Sequence, residues 1–388
     1  MVETPKGPEP FDLSAASVVE LLQTEAPTRE WLVHERLPLG VVGLLAAAGA
    51  TGKSMLTLQL AIACCTGMPW LGMAQGRSGS VLMLSTEDDR DEIHRRLRIA
   101  MSHYRMLAGD RADAIEELVG ERLFILDRVG DDNRLTMQLD RELVATAMAE
   151  RVIRTAEQMH GPVLIVLDPL SRFDGGDGND NGDGTRLIEA AERIRKGTGC
   201  TVLLPHHVSK AGIRDPESGQ EAVRGASGLV DGARWVGLLA TLRREDANKY
   251  GVEPEEAGHY VRFTTPKANY SAPWPGMWLE KQAGGVLVPT ELRERQTQGG
   301  KAGRSDTDFA ELAERIANLI RRKGPMPKRR IEDDFGGTTN VLKAGQKAVR
   351  GAIVRALEEG VLVTTCPEGG REVIALPTGD DGQSEARA

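Results

Sequence analysis

Two kinds of apolar spacing alternate along the first two-thirds of this 388-residue chain. Short apolar runs (Val41 to Ala46, Val81 to Ser85, Leu123 to Leu126, Val163 to Leu167, Thr201 to Leu204) read as strands, Val163 to Leu167 being of the type buried on both faces. Between them lie longer stretches of helical pattern: Lys53 to about Cys65, Asp89 to Tyr104, Arg141 to Met159 and Thr185 to Arg195. Strands alternating with helices predict βαβ units, a mostly parallel twisted sheet and the α/β class. Three later strands, Trp235–Ala240, Tyr260–Thr265 and Gly285–Val288, lie closer together and predict an antiparallel flank.

The pattern breaks at both ends of this block. Residues 1–30 hold a short apolar helix between Leu13 and Leu22, and read as an arm that packs on something, such as a neighbouring subunit. The α/β domain spans 31–290. Residues 291–305 are polar and aperiodic, a linker. Helical period returns at Phe309, Leu312, Ile316 and Leu319, with a further helix over 346–358 and a hairpin between Leu362 and Leu376. The region 306–378 therefore predicts a small winged helix-turn-helix-like domain, followed by a disordered tail, 379–388.

A hydrophobic content of 40% supports one large domain plus a small one, and 4% aromatic residues argue against a sandwich or lectin-like barrel. A net charge of −8 excludes a generally basic nucleic-acid binder, so any DNA contact must use local patches. Cys64, Cys65, Cys200 and Cys366 form no C-x-x-C pair, which fits a reducing cytoplasm. The N-terminus lacks a signal-peptide pattern, and no apolar stretch is long enough to span a membrane.

Chemistry concentrates at strand ends. After the first strand the chain reads Ala47-Ala48-Gly49-Ala50-Thr51-Gly52-Lys53-Ser54-Met55 and enters a helix, the setting of a phosphate-binding loop. Gly49 and Gly52 let backbone N–H groups turn toward phosphate, and the helix N-terminus adds a positive end. Lys53 neutralises the β- and γ-phosphates of ATP, and Ser54 supplies a Mg2+ ligand. The strict pattern asks for glycine where Ala47 stands; alanine fits if its φ is negative.

Three further strands end in polar groups. Asp168, after Leu164-Ile-Val-Leu167, is placed to hold Mg2+ through its hydration shell. Glu87 can polarise an attacking water, whereas Asp88 and Asp89 suit the N-terminus of the next helix. His206, in Leu203-Leu-Pro-His-His207, can touch the γ-phosphate. The two histidines point to opposite faces of a strand and are poor joint metal ligands.

This set resembles the RecA/DnaB-like ATPases, and among them the RepA-type hexameric plasmid replicative helicases. The pieces that carry the resemblance are Gly49 to Leu60, Glu87-Asp-Asp, Leu167-Asp-Pro-Leu-Ser-Arg172, His206-His-Val-Ser-Lys210, Arg224-Gly-Ala-Ser-Gly228 and Pro266-Lys-Ala-Asn-Tyr270, over about residues 30–295. The resemblance implies a RecA-like core and a homohexameric ring with ATP at subunit interfaces. Lys53, Ser54, Glu87 and Asp168 then act in cis, His206 as γ-phosphate sensor, and Arg224 and Lys267 as cations at a neighbour's site. DnaB-like relatives carry a finger arginine two positions after that lysine; here Asn269 stands, so either Lys267, Arg262 or Arg224 replaces it or trans activation is weak.

The resemblance also implies that loops 173–184 and 209–221 face a central channel holding single-stranded DNA. The second carries Lys210 and Arg214. The first is acidic, and it lacks the final carboxylate of a calcium loop because Ile188 stands there. Arg321 to Arg330 has six cations and no acid, and Lys343, Lys347, Arg350 and Arg355 follow at helical spacing, a second candidate DNA contact. The sequence reading is an ATP-driven single-stranded DNA translocase or helicase for a plasmid, phage or mobile element. The alternative is a RecA-fold ATPase acting as a non-unwinding mediator, or a DNA-binding regulator.

Overall fold

A computed structural model describes residues 11–13, 16–140, 142–176, 181–208, 227–294, 306–336, 341–342, 344–367 and 370–377. Two compact units emerge, Met1–Arg293 and Glu294–Ala388.

The first unit begins with α1 (Val19–Gln23), β1 (Trp31–Val33) and β2 (Leu37–Pro38), and continues with β3 (Val42–Ala47), α2 (Lys53–Thr66), β4 (Ser80–Ser85), α3 (Arg90–Ala108), α4 (Ala112–Arg122) and β5 (Leu123–Asp127). A hairpin, β6 (Thr136–Leu139) and β7 (Glu142–Ala145), leads to α5 (Met148–Ala156), β8 (Pro162–Asp168), α6 (Asn181–Thr198), β9 (Thr201–His207), α7 (Ser227–Gly232) and β10 (Trp235–Thr241). Then come α8 (Arg244–Ala247), β11 (Tyr260–Ala268), β12 (Met277–Lys281) and β13 (Leu287–Thr290).

Nine strands form one sheet in the order β13-β12-β11-β10-β3-β9-β8-β4-β5. From β10 to β5 every pairing is parallel, and from β10 to β13 every pairing is antiparallel. One face of the sheet packs on α2, α3 and α4 through Leu45, Leu203, Val166, Leu56 and Tyr104. The other packs on α5, α6 and α7 through Leu44, Leu204, Ile165, Val152 and Leu187. Consecutive residues of the inner parallel strands feed opposite layers, which is why those strands read as unbroken apolar runs, whereas the edge strand β5 leaves Phe124 and Leu126 exposed. This is the α/β, RecA-like P-loop NTPase architecture that the sequence predicts.

Several elements differ from the sequence expectations, the helix α4 and the pair β1–β2 among them. The expected helix from Arg141 to Met159 begins as the hairpin strand β7, whose Leu143 and Val144 face Gln138 and Met137, and only Met148–Ala156 is helical. The strand at Trp235 is not part of the antiparallel flank alone: it lies parallel to β3 and is the hinge between the two halves of the sheet. The flank gains β12, which proline- and glycine-rich surroundings (Pro273, Pro275, Gly276) obscure in sequence. In the arm, the helix is limited to Val19–Gln23 and buries none of its residues, with Leu21 and Leu22 exposed.

The second unit contains α9 (Asp306–Lys323), α10 (Lys328–Phe335), α11 (Gln346–Glu358) and the antiparallel hairpin β14 (Val363–Thr365) with β15 (Val373–Ala375). Its own core joins Leu312, Ile316, Ile331, Val349, Ile353 and Ile374.

Candidate nucleotide site

Parallel topology brings the carboxyl ends of β3, β9, β8 and β4 to one edge of the sheet. Open α/β sheets bind ligands at such an edge. β9 lies between β3 and β8, so the strand bearing the two histidines separates the phosphate loop from the strand of Asp168.

The loop itself is bent by two residues in left-handed conformation, Ala50 (φ 61°) and Gly52 (φ 109°). Of the two glycines expected to make the bend, only Gly52 does so. A side chain at Gly52 would also lie 3.1 Å from Leu287 Cδ1, so glycine is required there twice over. Ala47 is the last residue of β3 and has no positive φ, which is why the missing glycine is tolerated. Thr51 closes the bend by donating its hydroxyl to the Ala48 carbonyl at 2.8 Å. α2 starts with no side-chain cap, leaving its first N–H groups turned to the loop.

Lys53 is buried to 5% exposure. Burial pulls its ammonium below the ordinary lysine range, and Asp168 and Glu87 pull it back up. Asp168 is pushed up by burial, against the opposing pull of Lys53 and a hydrogen bond from Ser54. Thr86 anchors the end of β4 to the end of β8: its N–H and its hydroxyl both donate to the Asp168 carbonyl at 3.0 Å. That double tie sets Glu87 beside Asp168. Glu87 Oε1 lies 3.8 Å from Arg172 Nε, and Oε2 lies 3.8 Å from His207 Nε2.

The histidine pair separates as strand geometry demands. His207 continues the face of Leu203, toward α2, and its ring nitrogens lie 3.3 and 3.4 Å from Lys53 Nζ. His206 continues the face of Leu204; its Nδ1 is buried without a hydrogen-bond partner among the described residues, and burial together with Lys53 and His207 lowers it to about 4. The sequence reading chose His206; the residue touching both Lys53 and Glu87 is His207. Counting alternation from Leu203 would have found it.

Asp89 caps α3 by accepting from the Glu92 N–H at 2.9 Å, in the role expected of it. Asp88 instead pairs with Arg96 at 2.7 Å, and burial raises its carboxyl. Lys267 donates to the carbonyls of Val230 and Asp231, both at 2.8 Å, at the C-terminal end of α7. Arg262 donates to the Pro275 carbonyl and stacks near Trp278. Arg224, Lys210, Arg214, Lys343, Asp177 and Asp180 lie outside the described residues.

A cavity of about 380 Å3 opens over the loop, lined by residues that include Lys53, Ser54, Arg96, His207 and Lys281. A second, of about 510 Å3, shares Ala48, Ala50, Thr51 and Lys281 with it and extends to Thr241 and Arg243. No local sequence pattern marks Lys281, one lysine at the end of a short strand.

A protein-family model described as an AAA domain matches residues 7–212, more than half of the chain and all of the strand ends named above. The chain belongs to the AAA domain family. Solved structures with likeness to it include one described as the ATPase domain of G40P (15% identity, TM-score 0.45, 65% of this chain and 85% of that chain). Another is described as a DnaB-like replicative helicase and its interactions with primase (14% identity, TM-score 0.46, 72% of this chain and 66% of that chain). As an AAA domain with a P-loop the chain is a nucleotide-binding NTPase. Among the described residues no helix is long and apolar enough to cross a membrane.

Proposed function

We propose that this chain is an ATP-hydrolysing, ring-forming motor on single-stranded DNA, a translocase or helicase serving replication of a plasmid, phage or other mobile element. The observation that carries the hydrolytic part is the meeting of Lys53, Asp168, Glu87 and His207 at one mouth of the sheet. Lys53 and the α2 N-terminus receive the phosphates. Glu87 orients the attacking water, and His207, in contact with both Lys53 and Glu87, registers whether a γ-phosphate is present. The oxygen donors of Ser54 and Asp168 suit Mg2+, which when bound offsets charge on the phosphate oxygens.

The motor part rests on the resemblance to RepA-type and DnaB-like helicases. In this reading six copies assemble through the apolar arm, and Arg224 and Lys267 serve a neighbour's site. Lys210, Arg214 and the basic run from Arg321 to Arg330 of a winged-helix-like domain contact DNA. A second reading, a RecA-fold ATPase that remodels without unwinding, draws on Lys267, which is held by carbonyls of its own chain, and on Asn269.

The test is ATP turnover with and without single-stranded oligonucleotide, strand displacement, and negative-stain imaging, with Lys53→Ala as control. Rings, DNA-stimulated turnover and displacement are expected. Stimulated turnover without displacement favours the second reading, and no turnover with Mg2+ and oligonucleotide present overturns both.

A further inference from the structure

The β12–β13 hairpin leans on the phosphate loop and on the helices α2 and α3 at four points. Gln59, in the middle of α2, makes two buried hydrogen bonds with the hairpin: its amide donates to the Leu287 carbonyl at 2.9 Å and accepts from the Leu287 N–H at 3.0 Å. The Leu287 side chain rests on Gly52, and Gly284 (φ 75°) sits so close to Ile99 that a Cβ there would lie 2.6 Å from Ile99 Cγ2. At the end of β12, Lys281 Nζ donates to the Ala50 carbonyl at 3.0 Å. Ala50 is the loop residue that holds a left-handed φ without being glycine, a conformation that costs energy unless its surroundings enforce it.

Lys281 also lines both cavities that flank the loop. Among the described residues it makes no ion pair, so its charge is uncompensated beside a loop built to receive several negative charges. Burial draws its ammonium below the ordinary lysine range.

The geometry points to Lys281 as a second phosphate-site lysine, a positioning residue that clamps the apex of the loop at Ala50 and adds positive charge beside the bound triphosphate. This inference rests on the nucleotide-site reading above and adds the β12–β13 hairpin to it as a working part. A charge-assisted hydrogen bond of this kind is worth roughly a tenfold change in affinity.

The test uses the full chain, with a fluorescent ATP analogue to measure binding and steady-state turnover to separate KM from kcat. Lys281→Met is expected to raise both the dissociation constant and KM roughly tenfold, the larger share of the loss falling on KM rather than kcat. Lys281→Arg is expected to restore most of the affinity, and Lys281→Gln, which keeps a donor without charge, is not. Wild-type nucleotide binding with unchanged affinity in all three variants overturns the role of Lys281 and leaves the site intact. Absent wild-type binding, or wild-type binding that Lys53→Ala leaves unchanged, overturns the site itself. A Lys281→Met variant that unfolds is replaced by Lys281→Gln, whose affinity decides.

Discussion

Lys53 and Glu332 are both charged side chains withdrawn to 5% exposure, and they are partnered in opposite ways. Glu332, in α10, is held by Arg350 of α11 through contacts of 2.7 and 3.1 Å, so its charge is satisfied within the fold. Around it Arg329 pairs with Asp333 and Arg330 with Asp334. Among the described residues Lys53 has only histidine nitrogens within hydrogen-bond range, next to an Asp168 displaced upward by burial and a His206 whose Nδ1 has no partner there. A fold that spends charge on its own stability neutralises it locally; one that keeps charge buried and under-partnered holds it for a ligand. The same contrast tempers the basic run from Arg321 to Arg330, because part of its charge already answers acids one helical turn away.

The contrast can be broken most forcefully at Lys53. Lys53→Ala is expected to lower ATP turnover by about a hundredfold or more, while thermal unfolding shows no loss of stability, since a desolvated cation has been removed. A variant that lost both would place Lys53 with Glu332 as a structural charge. Glu87→Gln comes next: turnover falls about a hundredfold with nucleotide binding retained, measured by turnover and analogue binding on the same preparation.

His207→Ala is expected to cost about tenfold in turnover and His206→Ala distinctly less. The reverse order would return the sensor role to His206. Smaller still is Glu332→Gln, which should destabilise the second unit by about 1 kcal/mol, because the exposed Arg350 lets solvent screen the pair.

Acidification sharpens the same contrast with opposite chemistry in the two units. His206 stays neutral in the folded chain down to about 4, whereas the unfolded chain takes up a proton near 6.5, so stability of the first unit falls as pH drops through that window. His206→Gln should flatten that slope in a pH series of thermal melts. Arg350 holds Glu332 below the ordinary glutamate value, so its contribution is present at neutral pH and is lost only at lower pH, as the carboxylate takes up a proton.

Much of this was legible in sequence. The α/β alternation, the strand ends at Ala47, Ser85, Asp168 and His207, and the phosphate loop follow from local rules, because a buried parallel strand must be apolar and a loop that wraps phosphate needs small residues before Lys-Ser. What escaped was set by pairing. The hairpin of β6 and β7 satisfies its backbone through a partner strand, and a short stretch such as Glu142–Ala145 carries no sign of that partner. β12 was hidden by Pro273, Pro275 and Gly276 just before it, and with it Lys281.

The chain's own order of residues determined which chemistry is present: an ammonium at 53, carboxylates at 87 and 168, imidazoles at 206 and 207. Only the tertiary structure decided which of these meet. Strand order put β9 between the phosphate loop and Asp168, side-chain alternation sent His207 rather than His206 toward Lys53, and a hairpin more than two hundred residues downstream brought a second lysine to the loop. The physical reason is that proximity between distant segments depends on sheet register and layer packing, which are properties of the whole fold rather than of any window along the chain.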